Sequence, residues 1–507
     1  GTQGKGGPTT LRISVLSTGM PLGLNPAKAS EPIAMNFQAQ LSAGLTELDS
    51  ETNVVPHVAR SWEVLEGGRR YLFHLRDDVR WTDGQPVTAE DFEWAWKWSL
   101  APETHAFMAQ LLDPIAGARS FRTGRNPDPQ SVGVRSIDPR TLEVLLETPI
   151  AHFLYLTADQ IAHPLPRHAM ERHGEAWTSP EHFVSNGAFR VAKFGEGRVT
   201  LTRNPGYFAE FPGSLEEIEW FSELDLESGV TALAAGQLDI LAAVQPTLVP
   251  TTFPSENMRS CPEFSTLALA LRPTRPPLDN PQVRRALALA LDQTEFADKF
   301  VGRGNPPATG GYIPRGMAGH SPNLSLPHDP DLARHLLAEA GYPEGRGFPS
   351  LLMSHWEGWW ADSAAWIAAE WRRHLGIEIT HHALPVKMDS MACEPLEAGV
   401  VMRGWLADYP DPFNFLRQSN LIFGLVAAGW RDADYEAMVE RAAQTTDRPR
   451  RMAMYRQADR WLVAEQALVI PLQYGISGSD LVMPWVHGYK ANAMRVARLK
   501  EVSIAPH

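Results

Sequence analysis

The most regular alternation of apolar and polar residues lies at residues 71–76, where Tyr71, Phe73 and Leu75 share one face. A period of two over this length predicts a half-buried β-strand. The Gly67-Gly68 pair just before it suits a tight turn. We therefore expect a β-hairpin at this point of the chain.

A helix is predicted shortly after this strand. Thr88 occupies the position of an N-cap residue, and Asp91 follows three residues later as a short capping-box partner. Phe92 and Trp96 then fall on one line of the helix, with Trp94 nearby. The residue pattern alone predicts a hairpin followed by a Trp-rich helix, and most such segments belong to a hydrophobic core.

Further elements are predicted by the same signals. Residues 264–271 form an apolar strand, and residues 279–291 fit an amphipathic helix with Val283 and Leu287 inward. Asp329-Pro330 provides an N-cap and an N1 proline for a helix that ends at Gly341. Another helix is predicted from Ala361 to Leu375 and closed by Gly376, with a strand after it at residues 377–380.

Length and charge narrow the function classes. At 507 residues the chain is too long for one ordinary core, and 44% hydrophobic with 21% charged residues is typical of soluble globular proteins. A formal net charge of −13 argues against nucleic acid as a partner, because phosphate binding needs a concentrated basic patch. The sequence contains no run of 18 apolar residues that would predict a membrane-spanning helix.

Signatures of enzymes and cofactor sites are missing from the sequence. It contains no GxSxG, GxxxxGK[S/T], GxGxxG or HExxH motif, and its 17 histidines show no zinc-pair spacing. We predict no catalytic residue, no cofactor and no metal site, with an unrecognised hydrolase as the alternative. The two cysteines, Cys261 and Cys393, are either free or bridged, because spacing alone does not show whether they meet.

The ordered motifs resemble a known family. The stretch from Pro56-His-Val-Ala-Arg-Ser-Trp-Glu to Pro86-Val-Thr-Ala-Glu-Asp-Phe is similar to the signature of the extracytoplasmic solute-binding proteins of family 5. Those proteins deliver peptides, nickel and some sugars to ABC importers. The Ser185-Asn-Gly-Ala-Phe segment and the Gly404-Trp-Leu-Ala-Asp-Tyr segment continue the match, which runs from about Leu24 to Tyr474.

The resemblance implies the fold class α/β, with a two-lobed periplasmic-binding-protein (Venus flytrap) fold, class II-like, and an extra inserted domain. The boundaries that it implies are lobe I at residues 1–44, 172–261 and 471–507, the inserted domain at 45–171, and lobe II at 262–470. It also implies a periplasmic or extracytoplasmic location. The N-terminal residues 1–8 include neither a signal peptide nor a lipid-anchoring Cys, so we expect a mature or trimmed chain that an export signal or anchor once preceded.

The resemblance also implies site residues. Asp408 matches the aspartate that binds the α-ammonium group of the ligand in peptide receptors, and Trp405 and Tyr409 would flank it. Ser30 and Glu31 lie where the relatives' loop touches the ligand, although a solvated loop is an equal alternative. Some relatives bind a short peptide's carboxylate with an Arg where this chain has Met402. Arg403 is displaced from that position by one residue, which weakens the same role for it.

A second unusual stretch contains Trp356, Trp359 and Trp360, three tryptophans in five residues. They fall between a predicted strand and a predicted helix, where the family places residues on the ligand side. The sequence does not decide whether these tryptophans pack in the core or are exposed in a cleft. An aromatic wall suits apolar side chains, sugars or cations, so this stretch keeps a non-peptide ligand open.

The function predicted from the sequence is capture without chemistry. We expect an oligopeptide-binding component of an ABC importer that binds its ligand in an inter-lobe cleft, delivers it to a membrane permease, and acts as a monomer. The alternatives are a binder of an oligosaccharide or another small solute, and a ligand-sensing module of a signalling protein.

Overall fold

The computed structural model describes residues 9–15, 24–28, 32–195, 197–221, 224–244, 248–250, 253–260, 263–302, 306–358, 360–385, 397–475 and 478–506. The chain forms two compact units. The first comprises Gly1–Pro262 and Ser477–His507, and the second comprises Glu263–Ile476. Both cysteines, Cys261 and Cys393, lie outside the described residues.

The strands and helices are numbered in chain order. The strands are β1 (Thr10–Val15), β2 (Thr46–Leu48), β3 (Val54–Pro56), β4 (Ala59–Leu65), β5 (Arg70–Leu75), β6 (Val134–Asp138), β7 (Thr141–Leu145), β8 (Phe189–Gly195), β9 (Arg198–Arg203), β10 (Glu217–Phe221), β11 (Ile240–Val244), β12 (Met258–Ser260), β13 (Ser265–Leu271), β14 (Leu351–Trp356), β15 (Ile379–Leu384), β16 (Val400–Leu406), β17 (Val469–Tyr474), β18 (Ser479–Val482), β19 (Val486–His487) and β20 (Ser503–Ile504). The α-helices are α1 (Pro32–Leu41), α2 (Ala89–Leu100), α3 (Ala118–Arg122), α4 (Phe153–Leu156), α5 (Arg167–His173), α6 (Leu226–Ala234), α7 (Pro281–Leu289), α8 (Gln293–Phe296), α9 (Pro330–Glu339), α10 (Trp360–Leu375), α11 (Asn420–Ala427), α12 (Ala433–Gln444) and α13 (Arg448–Arg460).

The first unit contains two large sheets. A seven-stranded mixed sheet has the order β12-β18-β11-β1-β10-β9-β8, in which β1 pairs in parallel with both β10 and β11. A separate four-stranded antiparallel sheet has the order β4-β5-β7-β6. The hairpin predicted from the sequence is confirmed here, since β5 pairs with β4 and buries Tyr71, Phe73 and Leu75.

The second unit is built on one five-stranded sheet of order β15-β14-β16-β13-β17. Every residue of its strand β13 is buried, as expected for an inner strand that is covered on both faces. The strand β16 pairs in parallel with β14 and antiparallel with β13. This pairing places the carboxyl end of β16 beside β13, and the chain then enters the segment that carries Asp408.

Helix termini follow the local signals in the sequence. Asp91 accepts a hydrogen bond of 2.8 Å from the backbone N–H of Thr88, which confirms the capping box of α2. Asp329 caps α9, and Gly341 after that helix has a positive φ of 99°. The helix predicted from Ala361 begins one residue earlier, at Trp360.

A buried carboxylate anchors a loop of the second unit. Asp459 is fully buried, and its Oδ1 accepts a hydrogen bond of 2.8 Å from the backbone N–H of Tyr312. Burial raises the pKa of Asp459 to about 7. Gly311 packs so closely on this carboxylate that a Cβ at that position would overlap it.

We predict that Gly311→Ala lowers the free energy of unfolding of the second unit by about 1–3 kcal/mol, because the added methyl overpacks the site of Asp459. The matched control is Gly424→Ala in α11. Apart from the two adjacent residues and the helix's own backbone, no atom there lies within 4 Å of the place that the methyl would take, so that protein should be equally stable or up to about 1 kcal/mol more stable. Urea unfolding of both variants measures the difference. A Gly311→Ala protein as stable as the wild type would contradict this packing.

The first unit contains a buried polar network that joins distant parts of the chain. Lys500 donates hydrogen bonds to both carboxylate oxygens of Glu47, each at 3.2 Å, and to the Tyr207 hydroxyl at 3.1 Å. The Tyr207 hydroxyl also bonds to Nε2 of His57 at 2.9 Å, while Arg498 donates to Glu47 at 2.9 Å. Burial opposes ionisation of Glu47, but His57, Lys500 and Arg498 together lower its pKa. Burial lowers the pKa of His57 to about 4.

We predict that His57 stays neutral in the folded protein at pH 5.5. An unfolded chain binds a proton on this residue near pH 6.5, so between about pH 6.5 and 4 the free energy of unfolding falls as the pH is lowered, by about 1.4 kcal/mol per unit. An NMR titration of the His57 ring, assigned by the signal lost in His57→Gln, measures the protonation. A midpoint near pH 6.5 would show that burial does not govern this group.

Candidate functional site

The candidate site begins where β16 ends. Asp408 to Asp411 make a tight turn, and a π-helical turn, Asn414–Gln418, follows. Asp411 stabilises this turn, because its Oδ1 accepts a hydrogen bond of 3.0 Å from the backbone N–H of Phe413. Asp411 is only 2% exposed and faces Arg451, whose Nε lies 3.9 Å from Oδ2. The Asp411 carboxylate therefore stabilises the backbone of the turn.

Asn414 is the centre of the hydrogen bonds in this turn. Its Oδ1 accepts from the indole N–H of Trp405 at 2.8 Å and from the backbone N–H of Asp408 at 3.0 Å. Its Nδ2 donates to Oδ2 of Asp408 at 2.8 Å and to Oε1 of Gln418 at 3.3 Å. The side chain of Asn414 is fully buried. One amide thus holds the carboxylate and the indole that the sequence singled out.

Tyr409 differs from Asp408 and Trp405 in exposure. Asp408 and Trp405 are half-buried, whereas Tyr409 is 1% exposed. The hydroxyl of Tyr409 donates to Oε1 of Gln418 at 2.5 Å, and burial followed by the charges of Asp411 and Asp408 raises its pKa well above its ordinary value. Tyr409 therefore packs beneath the turn, next to Asp408 in the chain, and its flanking role in a ligand site stays a prediction.

A second group of the expected residues lies around Arg403, which is on β16 as Trp405 is. Its guanidinium carbon lies 5.3 Å from the centroid of the Trp356 ring, a distance at which cation–π attraction operates. Its NH1 donates to the carbonyl oxygens of Met402 at 2.7 Å and Ser354 at 3.3 Å. Arg403 is only 4% exposed, so it fixes the end of β14 against β16.

The two described tryptophans of the aromatic stretch form one edge-to-face pair. The ring centroids of Trp356 and Trp360 are 5.3 Å apart with an interplanar angle of 83°. Trp356 ends β14 and is half-buried, whereas Trp360 opens α10, is 8% exposed and belongs to the hydrophobic core of the second unit. Trp360, which the sequence placed ahead of the predicted helix, is therefore the first residue of that helix. Its burial supports the core alternative that the sequence left open.

Three residues expected at the site, Ser30, Glu31 and Trp359, lie outside the described residues. The sequence also missed Asn414 and Gln418, which are the partners of Asp408 and Tyr409. The sequence signal that could have identified these two partners is their spacing, since the two amide side chains stand four residues apart just after Asp411-Pro412.

Among the described residues, no group of three or more His, Cys, Asp or Glu side chains could hold a metal ion. No helix among them is both long and apolar enough to cross a membrane.

Known structures place the fold among two-lobed binding proteins. The complex of Haemophilus influenzae OppA with the peptide RPPGFSPFR matches with a TM-score of 0.79 and 25% identity, covering 99% of this chain and 100% of that one. A sequence model described as bacterial extracellular solute-binding proteins, family 5 Middle, matches residues 53–421. The chain belongs to this family of solute-binding proteins. The resemblance and the two-lobed α/β fold expected from the sequence are confirmed.

Curated relatives carry different ligand names. The probable deoxycholate-binding periplasmic protein YgiS of Escherichia coli (strain K12) is 31% identical over 96% of this chain and 92% of its own length. The periplasmic oligopeptide-binding protein OppA of the same organism is 28% identical over 92% of this chain and 87% of its own length. Membership of the family therefore leaves the choice of ligand to the side chains of the site.

Proposed function

We propose that this protein is the extracytoplasmic ligand-binding component of an ABC importer for oligopeptides. The single observation that supports this most is the half-buried carboxylate of Asp408, held in one orientation by Asn414 at the end of β16. A fixed, partly desolvated carboxylate is complementary to the free α-ammonium group of a peptide. Relatives named for oligopeptide binding add support from the whole length of the chain.

The physical basis is a charge-assisted hydrogen bond. Such a bond to a charged group contributes about 1.5–3 kcal/mol, more than a neutral one, when the carboxylate is already oriented. Trp405 borders the same turn and would cover the ammonium from solvent, which strengthens the attraction. Tyr409 is proposed to contribute from beneath, through Gln418, since its hydroxyl donates to that side chain.

Capture in our proposal involves no chemistry. The ligand would be enclosed between the two lobes, and closure would be favoured only by contacts that are better in the closed form. Residues 45–171 would form the extra domain that is inserted in the first lobe. The closed protein, a monomer in the periplasm or on the outer face of the cell membrane, would then deliver the peptide to a permease.

The remaining expected residues would shape the space for ligand side chains. We propose that Trp356 offers an apolar face there, with Trp360 behind it and Arg403 fixing its position. Trp359, Ser30 and Glu31, which lie outside the described residues, are proposed as further ligand contacts on the resemblance alone. A wall of this type accepts varied apolar groups, because it makes no directional bonds with them.

A second candidate ligand is an amphipathic solute such as a bile salt. The relative that is 31% identical and named for deoxycholate binding favours it, as does the exposed part of Trp356. Deoxycholate has an apolar steroid body and a carboxylate. Asp408 would repel that carboxylate, so a bile salt would have to bind with its charged end away from this turn.

We predict that Asp408→Ala lowers the affinity for a peptide with a free N-terminus by at least about tenfold, which corresponds to about 1.4 kcal/mol. The control is Asp434→Ala on α12, which removes the same charge from an exposed position of the same lobe and should leave affinity unchanged. Calorimetric titration with one tripeptide measures both. Equal affinity in wild type and Asp408→Ala would exclude the ammonium anchor.

We also predict that the freshly purified protein releases a mixture of peptides when it is denatured after native mass spectrometry. A shared range of lengths among these peptides would give the size of the binding space. Release of a single steroid or sugar in place of peptides would reject the peptide assignment and favour the amphipathic or saccharide alternative. A thermal-shift screen with tripeptides and with deoxycholate provides an independent comparison.

A further inference from the structure

We infer that Asn414 is the positioning residue of the ligand site: it orients the Asp408 carboxylate and the Trp405 indole together, although it does not itself touch the ligand. This inference rests on the proposed function, in which Asp408 binds an ammonium group. Asn414 is fully buried, so no ligand atom reaches it. Its influence on binding must pass through the two side chains that it holds.

The hydrogen bonds of Asn414 allow only one orientation of its amide. A side-chain amide has two N–H donors and one oxygen with two lone pairs, and all four are used here. If the amide were turned over, its NH₂ group would face the N–H groups of Trp405 and Asp408, and its oxygen would face the Asp408 carboxylate. Every one of the four bonds would be lost. The carboxylate and the indole are therefore coupled through one rigid group.

The backbone that carries Asn414 is itself fixed. Tyr435 donates from its hydroxyl to the carbonyl oxygen of Leu416 at 2.7 Å, and Ser419 donates from its hydroxyl to that of Phe415 at 2.8 Å. The Phe415 ring packs edge-on against Tyr312 with centroids 5.6 Å apart. These contacts secure the π-helical turn, a feature that often occurs at functional sites. Asn414 thus transmits the rigidity of the lobe to Asp408.

Orientation before binding has a consequence for affinity. An Asp side chain on a turn that rotates freely must lose that freedom when it binds an ammonium group, and a side chain that is already held loses less. Asn414 also places its N–H against Oδ2 of Asp408, so the carboxylate stays hydrogen-bonded as solvent is removed. The benefit applies to ligands with a free ammonium group and not to those without one.

The test compares one tripeptide with its N-acetylated form. In the wild type, the free peptide should bind more tightly by at least about tenfold. In Asn414→Ala, we expect this ratio to fall to about one to threefold, while the affinity for the acetylated peptide changes by less than about threefold. Asn414→Ser provides a second variant, because its hydroxyl keeps a polar group in the buried site but is too short to hold both partners.

A structural control separates orientation from stability. Asn280 caps α7 in the same lobe by accepting a hydrogen bond of 2.9 Å from the backbone N–H of Gln282. Asn280→Ala should lower the thermal stability and leave the binding ratio at its wild-type value. In a double-mutant cycle, Asn414→Ala combined with Asp408→Ala should weaken binding of the free peptide no further than Asp408→Ala alone.

The outcomes distinguish the two hypotheses. A folded Asn414 variant that keeps the wild-type ratio, while Asp408→Ala loses it, overturns the positioning role and leaves the proposed function intact. A wild-type protein that binds both peptides equally overturns the ammonium anchor and the positioning role with it, but leaves peptide capture intact, whereas a wild-type protein that binds neither peptide overturns the proposed function. Equal weakening of both peptides in the Asn414 variants also overturns the inference, because that pattern indicates general loss of structure.

Discussion

The site of this protein depends on one physical constraint: a carboxylate can be taken partly out of water only if hydrogen bonds replace those that it loses. Asn414 meets this need for Asp408 with an N–H at 2.8 Å, and its oxygen meets the needs of two donors nearby. The tight turn from Asp408 to Asp411, which contains Pro410, brings these groups together. The strand, the turn and the amide therefore form one structural unit.

Much of the fold could be predicted from the sequence, because the determining signals are local. The period of two in β5 gave the buried face of that strand, and Thr88 with Asp91 gave the start of α2. Asp329-Pro330 likewise predicted the start of α9. Each of these signals depends only on residues that are close in the chain, so packing against the rest of the protein did not alter the predicted strand and helix positions.

The partners of the site residues could not be predicted, since they depend on contacts between distant residues. Arg403 bonds to the carbonyl oxygen of Ser354, 49 residues away, and this contact withdraws it from solvent. The register of β14 against β16 decides that pairing. Trp360 was placed between the predicted strand and the predicted helix, yet it is buried in the core and belongs to the helix. The resemblance to a family identified Asp408, and only the folded structure identified what holds it.

Ligand choice in this family fold can then be divided between two physical mechanisms. In the proposed function, the turn at Asp408 and Asn414 would select by charge, since it favours a cationic group and disfavours an anion. The aromatic pair of Trp356 and Trp360 would select by surface, since it favours any apolar group of suitable shape. A peptide and a bile salt can both meet the second requirement, but only the peptide carries the ammonium group that meets the first. Under the proposed function, the charge at the end of β16 is therefore the feature that would separate the two classes of ligand.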